Sequence, residues 1–512
     1  MKIKKILTFV LSLFICVQAF SQAGIIDSSF GTYGVVATPL STTGTATCRN
    51  ILSLNTGKYL ATGFINDGTT IEFATVRYNH DGSVDNLYGM SGLSKVAING
   101  GQYSYAYCSA LQTDGKLVMG GDYYDGTGYS FAVSRLTIDG DLDTTFGNGG
   151  FSTLGVGSAP FNNYGYGIGI QSDGKIILAG IVSNAGTADF GMARFNSNGS
   201  VDSTFGNNGQ VVTAIGTSTD NCYSMKIQSD DKILLAGDIS IGSAYVFTCV
   251  RYEIDGAIDS SFAVNGIGTY PMGANDDDYG YDITIQNDKK ILFGGTSYNN
   301  GQYDFTILRI DSTGTLDNSF GTNGFASHDF NGTMGIDNGR RIALQSDGKI
   351  IVSGRTYVIG SAFGLCRFDE NGMIDPTFGT NGVSYKQVAS AQHEGFGLTI
   401  DSNDDIVLCG SARTLPDNFY VLRYLGGLNT GINEIANTEW HVYPNPNNGS
   451  FSLKIDSNDK ESNLKIFDLT GNLVYVKDNL SNSKIQSELP TGAYIVQITT
   501  SANVKRVPMI IQ

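Results

Sequence analysis

From Asp27 to about Leu425 the chain is written in short apolar runs separated by clusters of Gly, Asn, Asp and Ser. Ile342-Ala-Leu and Ile350-Ile-Val flank the turn Gln345-Ser-Asp-Gly-Lys349, and the same arrangement surrounds Gln171 to Lys175. Asp-Gly between two apolar runs signals a β-hairpin, because both turn residues tolerate positive φ. A 3.6-residue period is sustained nowhere in this stretch, so strands rather than helices are predicted.

The pattern repeats. Asp-x-x-aromatic recurs at Asp27/Phe30, Asp85/Tyr88, Asp143/Phe146, Asp202/Phe205, Asp259/Phe262, Asp317/Phe320 and Asp375/Phe378, spaced 57–59 residues apart. Each copy has a glycine four residues after its aromatic, from Gly34 to Gly382. Phe-x-x-x-Arg recurs in step, ending at Arg77, Arg135, Arg194, Arg251, Arg309, Arg367 and Arg423. One unit reads as four short strands, in the sixth copy roughly 324–328, 341–345, 349–354 and 363–368. Four antiparallel strands in each of seven units predict a seven-bladed β-propeller. The matching Asp and Arg series predicts a structural pairing, with each Arg bonding a loop carboxylate or backbone carbonyls and each aromatic filling the wedge between blades. These units resemble the delta-60 repeat, a propeller repeat of unknown function found in exported bacterial proteins. The resemblance rests on Leu316-Asp-Asn-Ser-Phe-Gly-Thr-Asn-Gly324, its six relatives and the Gln-x-Asp-Gly-Lys turn. It implies the fold and no chemistry.

Both ends read differently. Residues 1–21 carry Lys2, Lys4 and Lys5 before an apolar run too short to span a bilayer, then Ala19-Phe20-Ser21, the layout of a secretory signal cleaved before Gln22. No later stretch is apolar enough to cross a membrane as a helix. Residues 426–439 form a Gly/Asn-rich connector, and 440–512 alternate apolar residues with Asn, Gly and Pro, as a small β-sandwich would. This last block, with Tyr443-Pro444-Asn445-Pro446, Gly471, Gly492, Tyr494 and Lys505, resembles the type A C-terminal sorting domain of the type IX secretion system. That resemblance implies export through the periplasm and outer membrane, the secretion machinery as a partner, and release or attachment at the cell surface.

Composition narrows the function. Asp and Glu outnumber Lys and Arg by 48 to 32, a net charge of −16, which argues against a nucleic-acid partner. The mature-chain cysteines Cys48, Cys108, Cys222, Cys249, Cys366 and Cys409 are spaced singly, as small buried strand residues would be. Four scattered histidines make no metal or base motif, and no cofactor is expected. Solvated acidic turns are the simpler reading of Asp276 with Asp278, and of Asp401, Asn403 and Asp405; calcium is the alternative.

One series stands apart. Nine residues before each turn lysine position come Arg49, Tyr107, Tyr166, Tyr223, Tyr281, Arg340 and Phe396, with Tyr105, Tyr164 and Tyr279 two residues earlier on the same strand face. Seven equivalent positions around an axis would form a girdle of aromatic and Arg side chains, suited to sugars or peptides. Inter-blade packing is the competing account. The expectation is an exported monomeric propeller that serves as a binding or display scaffold for polysaccharide or protein. Loops 121–129, 162–166 and 295–303 are expected to make contacts. The alternatives are a glycan hydrolase or lyase working in the channel, and a structural surface or adhesion component.

Overall fold

Runs such as Ile350–Thr356 and Ala362–Phe368 are buried along their whole length, because a neighbouring sheet covers each of their two faces. The inner strands show the other pattern, alternating buried and half-buried residues as one face turns toward a shared axis. The computed structural model describes residues 23–427 apart from 42–43, 101–102, 274–276, 300, 331–334, 359 and 415–416. In the C-terminal part it describes 441–443, 447, 449–454, 462–468, 472–478, 484–500 and 504–511. The proposed leader 1–21, most of the connector 426–439 and Trp440 lie outside these residues.

The chain divides into two compact units between Leu428 and Asn429. The first holds seven four-stranded antiparallel sheets, each a blade. In the first blade the order from the axis outward is β2 (Thr45–Ser53), β3 (Tyr59–Asn66), β4 (Ile71–Tyr78) and β5 (Leu93–Val96). The equivalent inner strands are Ser104–Leu111, Tyr164–Ile170, Asp220–Ile227, Asp278–Ile285, Asn338–Leu344 and Glu394–Ile400. Each touches the next, and the seventh meets the first. The propeller is seven-bladed and closed.

Blade and sequence unit are out of phase. The strand Phe325–His328, placed by its sequence at the head of the sixth unit, is the outermost strand of the fifth blade, paired with Gln302–Ile310. A periodic sequence has the same period in any phase, so the chain ends decide where a blade begins. The consequence falls on the last blade. Its inner three strands come from Glu394–Ile400, Ile406–Ser411 and Asn418–Tyr424, and its outermost strand is β1 (Val35–Pro39) from the other end of the chain. Val35 pairs with Leu422 and Pro39 with Asn418.

The repeated Asp, Arg and aromatic residues lie at the blade seams. Arg135 Nε lies 2.9 Å from Asp143, its guanidinium sits 4.6 Å from the centre of the Phe146 ring, and its Nη1 donates to Ser197 O in the next blade. Arg194 does the same with Asp202, Phe205 and Ile254 O, and Arg309 with Asp317, Phe320 and Glu370 O. Arg423 and Asp27 repeat the clasp across the closing seam at 2.6 Å, with Arg423 Nη1 donating to His80 O in the first blade. One side chain thus neutralises a buried carboxylate, covers an aromatic ring and ties two blades. The six cysteines are buried and free of disulfides.

The second unit is a small sandwich. Three strands, His441–Tyr443, Ser450–Lys454 and Lys484–Gln486, form one sheet. Leu473–Lys477, Ser462–Asp468, Gly492–Thr500 and Val504–Ile511 form the other, in that order. Phe451 and Ile485 from the first pack on Leu464, Ile466, Val496 and Met509 from the second. Gly492 pairs with Ile511 and Lys505 with Ile498, while the Tyr494 hydroxyl donates to Pro490 O at 2.7 Å. Tyr443 lies in the first strand; Pro444, Asn445, Pro446 and Gly471 fall outside the described residues.

Candidate functional site

Every inner strand carries one β-bulge. The pairing register slips between Cys48 and Asn50, Ala106 and Cys108, Gly165 and Gly167, Cys222 and Ser224, Gly280 and Asp282, Gly339 and Arg341, and Gly395 and Gly397. The extra residue in each case is a member of the aromatic/Arg series: Arg49, Tyr107, Tyr166, Tyr223, Tyr281, Arg340 and Phe396. A bulge kinks the strand and re-aims the side chain at that point. Glycine on the facing strand makes room for it. A Cβ on Gly121 would stand 1.8 Å from Tyr105 O, and Gly63, Gly180, Gly237, Gly295, Gly354 and Gly410 are equally crowded by the corresponding carbonyls.

The re-aimed side chains meet. Going round the axis, ring centres are 4.9 Å apart for Tyr107/Tyr166, 5.7 Å for Tyr166/Tyr223 and 5.2 Å for Tyr223/Tyr281. The Arg340 guanidinium lies 4.6 Å from the Tyr281 ring and 5.8 Å from that of Phe396. Arg49 closes the circuit, 3.9 Å from Phe396 and 4.9 Å from Tyr107. Seven half-buried side chains form an unbroken collar.

Above the collar is a terrace of tyrosines. Tyr105 stacks over Tyr107 at 6.2 Å and 2°, Tyr164 over Tyr166 at 6.3 Å and 18°, and Tyr279 over Tyr281 at 6.2 Å and 16°. Tyr129 bridges Tyr105 and Tyr164; Tyr245 and Tyr303 flank Tyr279. Tyr103 and Tyr298 carry the array out to solvent, each more than a third exposed. Burial raises the Tyr105 and Tyr166 hydroxyls to about 12, so they stay protonated near neutral pH. The array offers flat faces and neutral donor–acceptor groups, not nucleophiles or bases.

Polar groups sit beside the terrace. Glu394 occupies the place of Tyr105 in its own blade. Its Oε1 pairs with Arg355 Nη1 and lies 3.9 Å from Arg413 Nη2, and its Oε2 is 3.6 Å from Arg340 Nη2. Asp122 and Asp238 stand on second strands opposite Tyr105 and Asn221 and are fully buried. Burial drives Asp122 well above the usual carboxylate range. It pushes Asp238 up to about 8, despite a 2.9 Å hydrogen bond from Asn221.

The ten side chains singled out by spacing therefore lie together, seven in the collar and three stacked on it. Tyr129, Tyr303 and Asp122 fall within the segments 121–129 and 295–303 expected to make contacts, although much of both segments is strand and not loop; Tyr245, Arg355, Arg413, Glu394 and Asp238 were missed. Arg355 offered no repeat signal, because its pairing position varies, holding Phe64, Asp122, Ile181, Asp238, Thr296 and Ser411 in the other blades. The calcium candidates have other engagements. Asp401 accepts from Asn403 N, Asp405 N and the Tyr59 hydroxyl, Asp405 accepts from Gly426 N, and Asp278 from Met272 N. Asp276 lies outside the described residues, among which no three acidic, His or Cys side chains converge as ligands.

Residues 112–146, 171–205, 228–262, 286–320 and 345–378 match a family described as a domain of unknown function (DUF5122) beta-propeller. Residues 441–512 match the secretion system C-terminal sorting domain. None of the curated proteins compared with the chain matches it. Among solved structures, it is similar to a virginiamycin B lyase from Staphylococcus aureus, at 13% identity over 76% of this chain and 98% of that one (TM-score 0.43). It is also similar to the polysaccharide lyase Uly1, at 11% over 74% and 90% (TM-score 0.44). A protein of unknown function from Dyadobacter fermentans aligns at 10% over 77% and 98% (TM-score 0.40). Likenesses this distant carry nothing about ligand.

Proposed function

We propose that the collar face of this chain binds polysaccharide, the chain matching the DUF5122 β-propeller model in five of its repeats and a secretion sorting domain at residues 441–512, which makes it an exported or surface-held protein. The observation that carries this reading is the tyrosine terrace continuous with the collar. Inter-blade packing accounts for rings buried within the collar. It extends to the second layer, where Phe64/Tyr105, Tyr129/Tyr164 and Tyr245/Tyr279 meet across blade seams, but it does not account for the faces that this layer leaves open toward Tyr103 and Tyr298, each more than a third exposed. Sugar rings stack on such faces, and the phenol hydroxyls supply hydrogen bonds without carrying charge.

The terrace, not the collar, is the place to test it, because collar truncation would confound binding with folding. Replacing Tyr105, Tyr164 and Tyr279 together by Ala removes three stacking faces, each worth ~0.5–1.5 kcal/mol. The expected result on a glycan array is at least about a tenfold loss of affinity with the melting transition retained. Undiminished binding by the folded triple variant would rule the terrace out.

A further inference from the structure

Most arginines of the propeller have an acidic partner. In all seven blades the seam arginine holds its aspartate within 2.9 Å, as an acidic chain with 48 carboxylates to 32 bases makes easy. The sector of the collar shared by the first, sixth and seventh blades departs from this. Arg340, Arg355 and Arg413 all turn to one carboxylate, Glu394. Arg341 reaches only carbonyls, Phe396 O at 2.5 Å and Tyr281 O at 3.3 Å. Arg49 has neither: among the described residues it makes no salt bridge and no hydrogen bond, and its buried Nε has no partner. Two aromatic faces, Phe396 and Tyr107, hold its guanidinium in place.

A guanidinium confined in a half-buried ring, unpaired beside other arginines, is costly unless an anion joins it. Its free edge presents the planar donors that fit a carboxylate. The four consecutive tyrosines of the collar and the stacked terrace above them lie on the other blades. The site is thus divided into a stacking half and a cationic half. The geometry points to an acidic polysaccharide as the ligand, with the carboxylate of a uronic acid residue seated at Arg49 beside Arg340 and neighbouring sugar rings on Tyr107, Tyr105 and Tyr164. This rests on the polysaccharide reading above and narrows it.

Titration calorimetry on the full chain separates the two. The probes are three matched pairs: oligogalacturonate, oligoglucuronate and oligomannuronate, each against its carboxyl-reduced neutral counterpart, with polyglutamate as an acidic peptide. The expected result is that one uronate binds at least tenfold more tightly than its neutral partner. Arg49→Met, which keeps the apolar stem between the two rings, should abolish that preference, and Arg49→Lys should restore part of it. Arg340→Gln reads the same preference should Arg49→Met fail to fold. Equal affinity for a neutral and an acidic partner, or a uronate preference that survives in Arg49→Met, overturns the acidic assignment and leaves the polysaccharide reading standing. Binding of polyglutamate alone, or of none of the probes, overturns both.

Discussion

A chain lacking residues 23–40 will show no cooperative melting transition for its propeller. Those residues supply the outermost strand of the seventh blade, paired with Asn418–Tyr424 over five positions. They also supply Phe30, fully buried in the cluster that joins the first and seventh blades, and Asp27, the partner of Arg423. Losing a buried aromatic costs about 3–5 kcal/mol, and leaving a buried charge without its partner costs about as much again. Together these approach the ~5–15 kcal/mol that holds a whole domain folded. Scanning calorimetry of the truncated chain measures this directly. A propeller transition at the wild-type temperature would mean that the ring holds without its closing strand.

The second large effect belongs to the seam clasps. Arg194→Ala removes the 2.9 Å contact to Asp202, the bonds from Nη1 to Ile254 O and Gln171 Oε1, and the cover over Phe205. Asp202 stays buried with Lys175 Nζ at 3.9 Å as its remaining cation. The expected loss is about 3–5 kcal/mol, or roughly 5 °C for a ring of about 400 residues at ~2.1 cal/mol/K each. Denaturant unfolding should report the same loss, and pairing Arg194→Met with Asp202→Leu should recover part of it, since no charge is then left alone. A loss of similar size in single and double variants would show that packing, not charge, matters at the seam. The clasps also set an acid limit. At Asp143 and Asp202, burial works to raise the carboxyl pKa, but the Thr145 or Thr204 hydroxyl and the nearby cations outweigh it and hold both below the ordinary value. Carboxyls depressed in the fold contribute stability that is complete above about pH 4, their unfolded value, and is lost as pH falls through the lower folded value.

Sequence spacing carried the fold a long way. Seven copies of Asp-x-x-aromatic, with Arg in step, gave the blade count because each blade needs the same seam clasp. The sorting block was legible from its run of motifs, and the family match over residues 441–512 agrees with it. Blade phase was not legible, since Phe325–His328 sits beside the Asp317 loop in sequence whichever sheet it joins. The bulges were hidden as well. A one-residue slip at Tyr107 leaves no compositional trace on its own strand, and its signature is Gly121 on the facing strand, where Tyr105 O leaves no room for a Cβ. Reading Gly63, Gly121, Gly180, Gly237, Gly295, Gly354 and Gly410 as a series would have exposed it. Arg49 and Arg340 were legible as members of the spaced series, but Arg355 and Glu394 were not, because they occupy positions that vary from blade to blade and attention to what recurs passes over them.

The most direct test of the collar face as the binding surface is a tyrosine nitration footprint of the intact chain, with and without its tightest-binding polysaccharide. Protection of Tyr103 and Tyr298, with Tyr33 in the Asp27–Gly34 loop at the opposite face nitrated as before, is the result expected. Protection of Tyr33 with Tyr103 and Tyr298 unchanged would contradict it.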